Sequence, residues 1–340
     1  MRATIHDVAR EAGVSVATVS RVVNGNYPVR DETRKRVAAA IQQLQYVPNM
    51  QARELNMRRS TSIGVVVPGL YNMFFAEVID GVEDYLRRGE YSLLLCCAKN
   101  DPQQEMKCVT DLMSRNVSGI IVISPNTEHV YPEFYEQVQR RQALVFINSY
   151  TEQLPDVSRV NDDAQTGTRQ ALAYLLQQGH RRILFVRGEN SDSYRVKEKA
   201  YVEFMQENGL LQEEDIVNIG EGNSTLTVDH TAQEMLSVLA ASPATAVLCC
   251  NDLMAVGVLH ACRHLNRPVP ESLSVIGYDN ISLGHFITPQ LTTVDQHMFR
   301  LGSSAAQLLI ERIETGASHQ LLLKNDLVLR ETTAECLKEK

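Results

Sequence analysis

Residues 7–24 read DVAREAGVSVATVSRVVN, and this stretch decides how the amino terminus folds. Val8, Ala9 and Ala12 recur at helical spacing until Gly13 breaks the run, and Val19, Val22 and Val23 recur after it. Thr4 and Asp7 form a capping pattern ahead of the first helix, Ser15 can cap a second over 16–23, and the cluster Asn24 to Pro28 stops it. Asp31 can cap a third helix, in which Val37, Ile41 and Leu44 share one face. None of the three is long enough to persist alone in water, so they must share one small core. Helix, glycine turn and helix make a helix-turn-helix, whose second helix enters the major groove by its first residues. Val16, Ala17 and Arg21 would then face bases. The first two can offer only apolar contact, whereas Arg21 can bond guanine O6 and N7 together. Ser15, Thr18, Ser20 and Asn24 are short hydrogen bonders suited to phosphates, and Thr4 joins them at the first helix start. Taken alone, the same pattern also fits a plain three-helix docking module.

Charge separates this head from the rest. Residues 1–60 hold ten Lys and Arg against five Asp and Glu, and the other 280 residues hold 23 against 36, so a head of +5 and a body of −13 make up the net −8. Such an imbalance directs only the head toward a polyanion. Pro48 and Asn49 then interrupt the helical pattern, and residues 50–60 carry Arg53, Arg58 and Arg59 with little apolar periodicity, as a linker does.

From Ser62 onward, short β-branched runs alternate with helix-length amphipathic stretches. The runs are 63–67, 93–97, 120–123, 144–147, 183–186, 246–250, 275–278 and 321–323, and the helical stretches include 75–88, 103–115, 164–178, 195–208 and 253–265. Alternation of this kind predicts parallel sheets covered on both faces, here in two successive α/β lobes with a polar crevice at the strand carboxyl ends. With 340 residues, 44% hydrophobic and 22% charged, the composition excludes disordered, collagen-like and membrane chains. The charged start without an apolar signal segment gives the expectation of a cytoplasmic protein.

The seven cysteines include two adjacent pairs, Cys96–Cys97 and Cys249–Cys250, inside apolar runs, which suits reduced and buried thiols. No C-x-x-C spacing occurs, and His260-x-Cys262-x-His264 reads as a solvated helix face, so neither metal nor cofactor is expected. Gly220-Glu221-Gly222 lacks the third glycine of a dinucleotide site, and no G-x-S-x-G nucleophile elbow is present.

The motif T-I-x-D-V-A-x-x-A-G-V-S-x-x-T-V-S-R-V-x-N from Thr4, followed by Tyr46-x-Pro48-Asn49-x-x-Ala52-Arg53-x-Leu55, resembles the lactose-repressor (LacI/GalR) family. The likeness continues through Phe74-Phe75-Ala76-Glu77, Gly179-His180-x-x-Ile183, Asn251-Asp252-x-x-Ala255-x-Gly257, Gly277-Tyr278-Asp279-Asn280 and Leu291-Thr292-Thr293-Val294, in order over nearly the whole chain. The resemblance implies a homodimeric transcription regulator, most readily a repressor, that binds double-stranded operator DNA and senses a small sugar or sugar acid. It implies an all-α helix-turn-helix head over 1–47, a hinge helix over 48–61, and a periplasmic-binding-protein-like body over 62–340. Within the body, one lobe is expected to hold 62–160 and 290–320, the other 161–289 and 321–340.

For the hinge, the resemblance implies that Leu55 wedges into the minor groove with Ala52 and Arg53 in support, and an apolar residue in an Arg-rich segment suits that task. For the crevice it implies Phe75, Asp163, Lys197, Asn251 and Asp279. The chain departs from the family at Lys197-Glu198-Lys199-Ala200-Tyr201, where R-x-x-G-aromatic is common, so the charge is kept and the forked donor is lost. Asp163 likewise stands where Asn is frequent. A transport receptor and an enzyme on the same scaffold are the competing classes. The basic head opposes the first, and the lack of a recognisable catalytic constellation opposes the second.

Overall fold

The head is built from three short helices whose ends are closed by their own side chains. In α1 (Ile5–Ala12) the Asp7 N–H donates to Thr4 Oγ1 at 3.4 Å and the Thr4 N–H donates to Asp7 Oδ2 at 3.0 Å, a reciprocal capping box; Gly13 then turns left-handed at φ 62. Helix α2 (Val16–Asn24) starts where the Thr18 N–H donates to Ser15 Oγ at 3.2 Å, and it ends at Gly25, φ 68. Helix α3 (Asp31–Gln43) departs from expectation, because Arg30 occupies the cap position without a side-chain bond. Asp31 is the first helical residue and supports that end through the helix dipole instead. Val8, Val19 and Val37, all fully buried, join the three helices. The computed structural model describes residues 3–25, 27–47, 60–89, 91–126, 130–151 and 154–336, and the chain divides into two compact units, Met1–Ser60 and Thr61–Lys340.

The second unit opens with β1 (Ser62–Val67), α4 (Met73–Arg88), β2 (Ser92–Cys97), α5 (Pro102–Ser114), β3 (Gly119–Ile123), α6 (Pro132–Gln139), β4 (Ala143–Ile147) and β5 (Ser158–Asp162). It continues with α7 (Ala164–Gln177), β6 (Ile183–Arg187), α8 (Asp192–Glu207), β7 (Ile216–Asn218), α9 (Thr227–Ala241), β8 (Ala246–Cys249), α10 (Asp252–His264) and β9 (Ser274–Asp279). Last come α11 (Leu283–Phe286), β10 (Thr292–Asp295), α12 (Met298–Thr315), β11 (Gln320–Leu323) and β12 (Asp326–Val328). Two six-stranded sheets result, ordered β11-β5-β4-β3-β1-β2 and β12-β10-β9-β8-β6-β7. All pairings are parallel except the antiparallel β10–β12 pair.

The chain crosses between the lobes three times, after β5, after β10, and between β11 and β12. This moves the expected lobe boundaries. Strand β10 lies in the second sheet, so 292–295 leaves the first lobe, and β11 pairs with β5, so 321–323 joins 320 in it. Strands β5 (SRVND) and β10 (TTVD) are largely polar, and β7 (IVN) and β12 (DLV) are only three residues long, so none carries an apolar run long enough to announce it. Of the paired cysteines, Cys249 and Cys250 are buried, but Cys97 is exposed because β2 is an edge strand with one face open.

The first lobe is held by the crossing of α4 and α12, where two glycines let the backbones meet. A Cβ on Gly81 would lie 2.0 Å from the Phe299 carbonyl oxygen, and one on Gly302 would lie 1.9 Å from that of Val78. Leu253 and Ile281 of the second lobe pack into the same apolar cluster as Val78 and Leu301. Among the described residues no helix is long and apolar enough to cross a membrane.

Candidate functional site

Helix α2 presents Ala17 and Arg21, both exposed and one helical turn apart, on its outward face. Arg21 extends along the surface with its guanidinium carbon 5.3 Å from the centroid of the Tyr27 ring, a cation–π contact that orients it. Tyr27, 63% exposed, carried no signal in the sequence beyond its place in a turn cluster. Val16 is only half exposed and packs partly on the helical core, so less of it is offered to a base. The hydroxyls expected at phosphates have local duties as well: Thr4 completes its capping box and Ser15 lies 2.9 Å from Thr18 Oγ1 at the start of α2. Ser20 is half-buried. Ala52, Arg53, Leu55 and the side chain of Asn24 lie outside the described residues.

In the body, a narrow cleft with about 30 Å³ of free volume lies between the lobes, and Phe75, Lys197, Asn251 and Asp279 all line it. Asp163 does not. Its carboxylate accepts the Thr166 N–H at 3.0 Å and caps α7, which is the work a carboxylate does at a helix start. Arg195 also stays out of the cleft, paired with Asp192 on the surface, whereas its neighbour Tyr194 forms part of the wall.

Each lining group is held by the element that delivers it. Asn251 caps α10, its Oδ1 accepting the Met254 N–H at 2.8 Å while its amide donates to Tyr194 Oη at 3.1 Å and to the Gly222 carbonyl at 2.9 Å. Its polar atoms are thus engaged in holding the wall. Lys197 is 2% exposed; its ammonium donates to the Cys250 carbonyl at 2.9 Å and lies 3.5 Å from the Tyr278 ring centroid. Asp279 ends β9 at φ 114, a backbone region that residues with a Cβ rarely adopt. Gln296, just past β10, donates its side-chain amide to the Asp279 carboxylate. Burial drives the Asp279 carboxyl well above its ordinary value, and the nearby Lys197 ammonium pulls it back down.

Three further groups complete the cleft and were not legible beforehand. Asn72 caps α4 through the Phe74 N–H at 3.0 Å, and its amide reaches Asn223 in the other lobe. Asn148 follows β4 at φ 55, and Gln296 lies at a crossover. Asn148 Oδ1 and Gln296 Oε1 are buried and find no hydrogen-bond partner among the described residues, although both side chains line the cleft. Buried acceptors left open in this way cost free energy until a donor arrives. Phe74 and Phe75 meet edge to face at 5.3 Å and supply apolar wall. The cleft therefore offers acceptors, an apolar face and one cation whose charge is already engaged.

Comparison with known proteins agrees over head and body. The family described as bacterial regulatory proteins, lacI family, matches residues 4–49, and the periplasmic binding protein-like domain matches residues 172–333. Catabolite control protein A of Priestia megaterium is 35% identical over 337 residues, spanning 98% of this chain and 100% of that protein. The lac repressor dimer bound to operator and the anti-inducer ONPF aligns at TM-score 0.85 and 26% identity, over 98% of this chain and 100% of that one. A complex of the transcriptional regulator CelR with cellobiose aligns at TM-score 0.72 and 28% identity, over 97% of this chain and 100% of that one.

Proposed function

This chain belongs to the lacI family of bacterial regulatory proteins, and we propose that it is a cytoplasmic repressor, acting as a homodimer, whose hold on operator DNA is set by a sugar-like effector in the cleft. The observation that carries the effector class is the pair of open acceptors, Asn148 Oδ1 and Gln296 Oε1, beside the Asp279 carboxylate. Such a lining asks for a ligand rich in hydroxyl donors, with a ring face to lay on Phe75. Of a neutral sugar and a sugar acid, the neutral sugar is favoured, because the Lys197 ammonium is already bonded to the Cys250 carbonyl and balanced by Asp279. The CelR complex with cellobiose supports the class by analogy. In the head, Ala17 and Arg21 read bases while Ser15, Thr18 and Thr4 adjust the fit to phosphates, and the hinge residues Ala52, Arg53 and Leu55 complete the grip in the minor groove.

Regulation requires that the effector bind one lobe arrangement better than the other, since equal affinity shifts no population. Titration calorimetry with neutral sugars, polyols, sugar acids and purine bases, paired with operator gel shifts at fixed salt, tests the reading. A neutral polyhydroxylated compound should bind and change operator affinity. Tight binding of a purine, or of acids alone, would overturn the effector class.

A further inference from the structure

Gly220-Glu221-Gly222-Asn223 follows β7 in the second lobe and carries hydrogen bonds to both lobes. On its own side, the Gly222 carbonyl accepts from Tyr194 Oη at 3.2 Å and from the Asn251 amide at 2.9 Å. The backbone fits so closely there that a Cβ on Gly222 would lie 2.4 Å from Met254 Cε and 2.8 Å from Tyr194 Oη. Across the gap, Asn223 Oδ1 accepts from the Asn72 amide at 3.1 Å and Glu221 Oε1 accepts from the Asn100 amide at 3.1 Å. The same Glu221 oxygen accepts the Asn223 N–H at 2.6 Å, which ties the two bridges into one unit.

We propose that residues 220–223 form a clasp that sets how much of the body is closed before any effector arrives. Bonds from Asn72 and Asn100 to this segment exist only while the lobes are together, so they stabilise the closed arrangement and not the open one. The segment is seated on Tyr194 and Asn251, two walls of the cleft, so a change at those walls is passed directly to the clasp. If the cleft is the effector site, apparent affinity scales with the closed fraction, and the clasp tunes sensitivity without touching the ligand. That role rests on the effector reading, whereas the clasp itself does not. Asn100 and Glu221 are absent from the cleft lining, so they can be altered with the lining intact.

Asn100→Asp tests this cleanly. Asn100 sits at φ 55, which Asp also tolerates, and the change sets two carboxylates against each other across the lobes. In the ligand-free full-length protein, amide hydrogen exchange at Phe74 and at 222–224 should quicken by about five-fold or more, with a larger radius of gyration in solution scattering. Adding Glu221→Gln restores a donor–acceptor pair and should return both readouts to wild type. Unchanged exchange in Asn100→Asp, or exchange that stays fast in the double variant, would overturn the clasp. Because no ligand is present, this result stands apart from the calorimetric panel, whose failure would remove the effector reading alone. On any panel sugar that binds, Asn100→Asp should weaken apparent affinity and the double variant should recover it.

Discussion

Arg21 is the one long donor on α2, and its contact with Tyr27 partly immobilises it before it meets a base. Arg21→Ala should therefore cost about 1–3 kcal/mol on the specific operator and relax preference at one guanine, measured by fluorescence anisotropy on a set of single-base operator variants. Tyr27→Ala should move affinity in the same direction by less, through lost orientation alone. An equal loss on every sequence would reduce Arg21 to a phosphate contact. In the cleft, Asp279→Asn keeps size and tolerance of the unusual φ but removes the charge. It should weaken effector binding by about ten-fold or more while leaving ligand-free operator binding near wild type, since one strong charge-assisted acceptor is lost. Undiminished calorimetric binding would take Asp279 out of the site.

Between elements, the fit of backbones predicts where substitution is not tolerated. Gly81→Ala or Gly302→Ala forces a methyl into a carbonyl of the opposing helix, which cannot rotate away, and should destabilise the body by at least about 2 kcal/mol in urea unfolding. An unshifted midpoint would mean that α4 and α12 separate freely. A second junction, at Asp252, makes stability depend on pH. Its carboxylate accepts from the Ile281 N–H at 2.9 Å and from the Thr293 hydroxyl at 2.6 Å, pinning α10 to the strand ends, and burial pushes its carboxyl up to about 7. The folded form then binds a proton that the unfolded form has released across the window from the ordinary carboxylate range to about 7. Stability is favoured at the acid end of that window and falls as pH rises through it, by up to ~1.4 kcal/mol per pH unit from this group. His180, lowered by burial, contributes with the opposite slope, so the test compares wild type with Asp252→Asn. The difference between their melting curves should change with pH between those limits, and a constant difference would defeat the assignment.

Strands such as Ile63–Val67 and Ala246–Cys249 announce themselves because both faces are buried. Ser158–Asp162 and Thr292–Asp295 do not, because they carry the chain toward the crossovers and are built partly from polar residues, among them Asp162, which accepts from Asn325 and Tyr278, and Thr293, which donates to Asp252. Likewise Lys197, Asn251 and Asp279 could be found at a motif or a strand end. Asn148 and Gln296 could not, since only the three-dimensional return of the chain brings them to the cleft.

At the scale of the molecule, a homodimer with two-fold symmetry predicts a near-palindromic operator with a deformable central step. Footprinting should find two inverted half-sites. A direct repeat, or full affinity of a monomer for one half-site, would defeat the assembly. Binding should also weaken steeply with salt, since the basic head supplies the phosphate contacts and the acidic body adds none.

The triple crossing of the chain bears on how the protein is made. On the ribosome, the head has all of its residues once the first 47 have emerged, and its small core can close at once. The first lobe waits for strand Gln320–Leu323 to take its place beside Ser158–Asp162, when nearly the whole chain has been synthesised. A chain that ends before Gln320 would leave a head able to fold attached to a first lobe that lacks its edge strand. Such fragments keep the basic surface and lose the cleft, so in a cell they should occupy operators weakly and answer to no effector. Premature stop codons late in the gene should thus give a constitutive, effector-blind phenotype or outright loss through proteolysis, and not partial sensitivity.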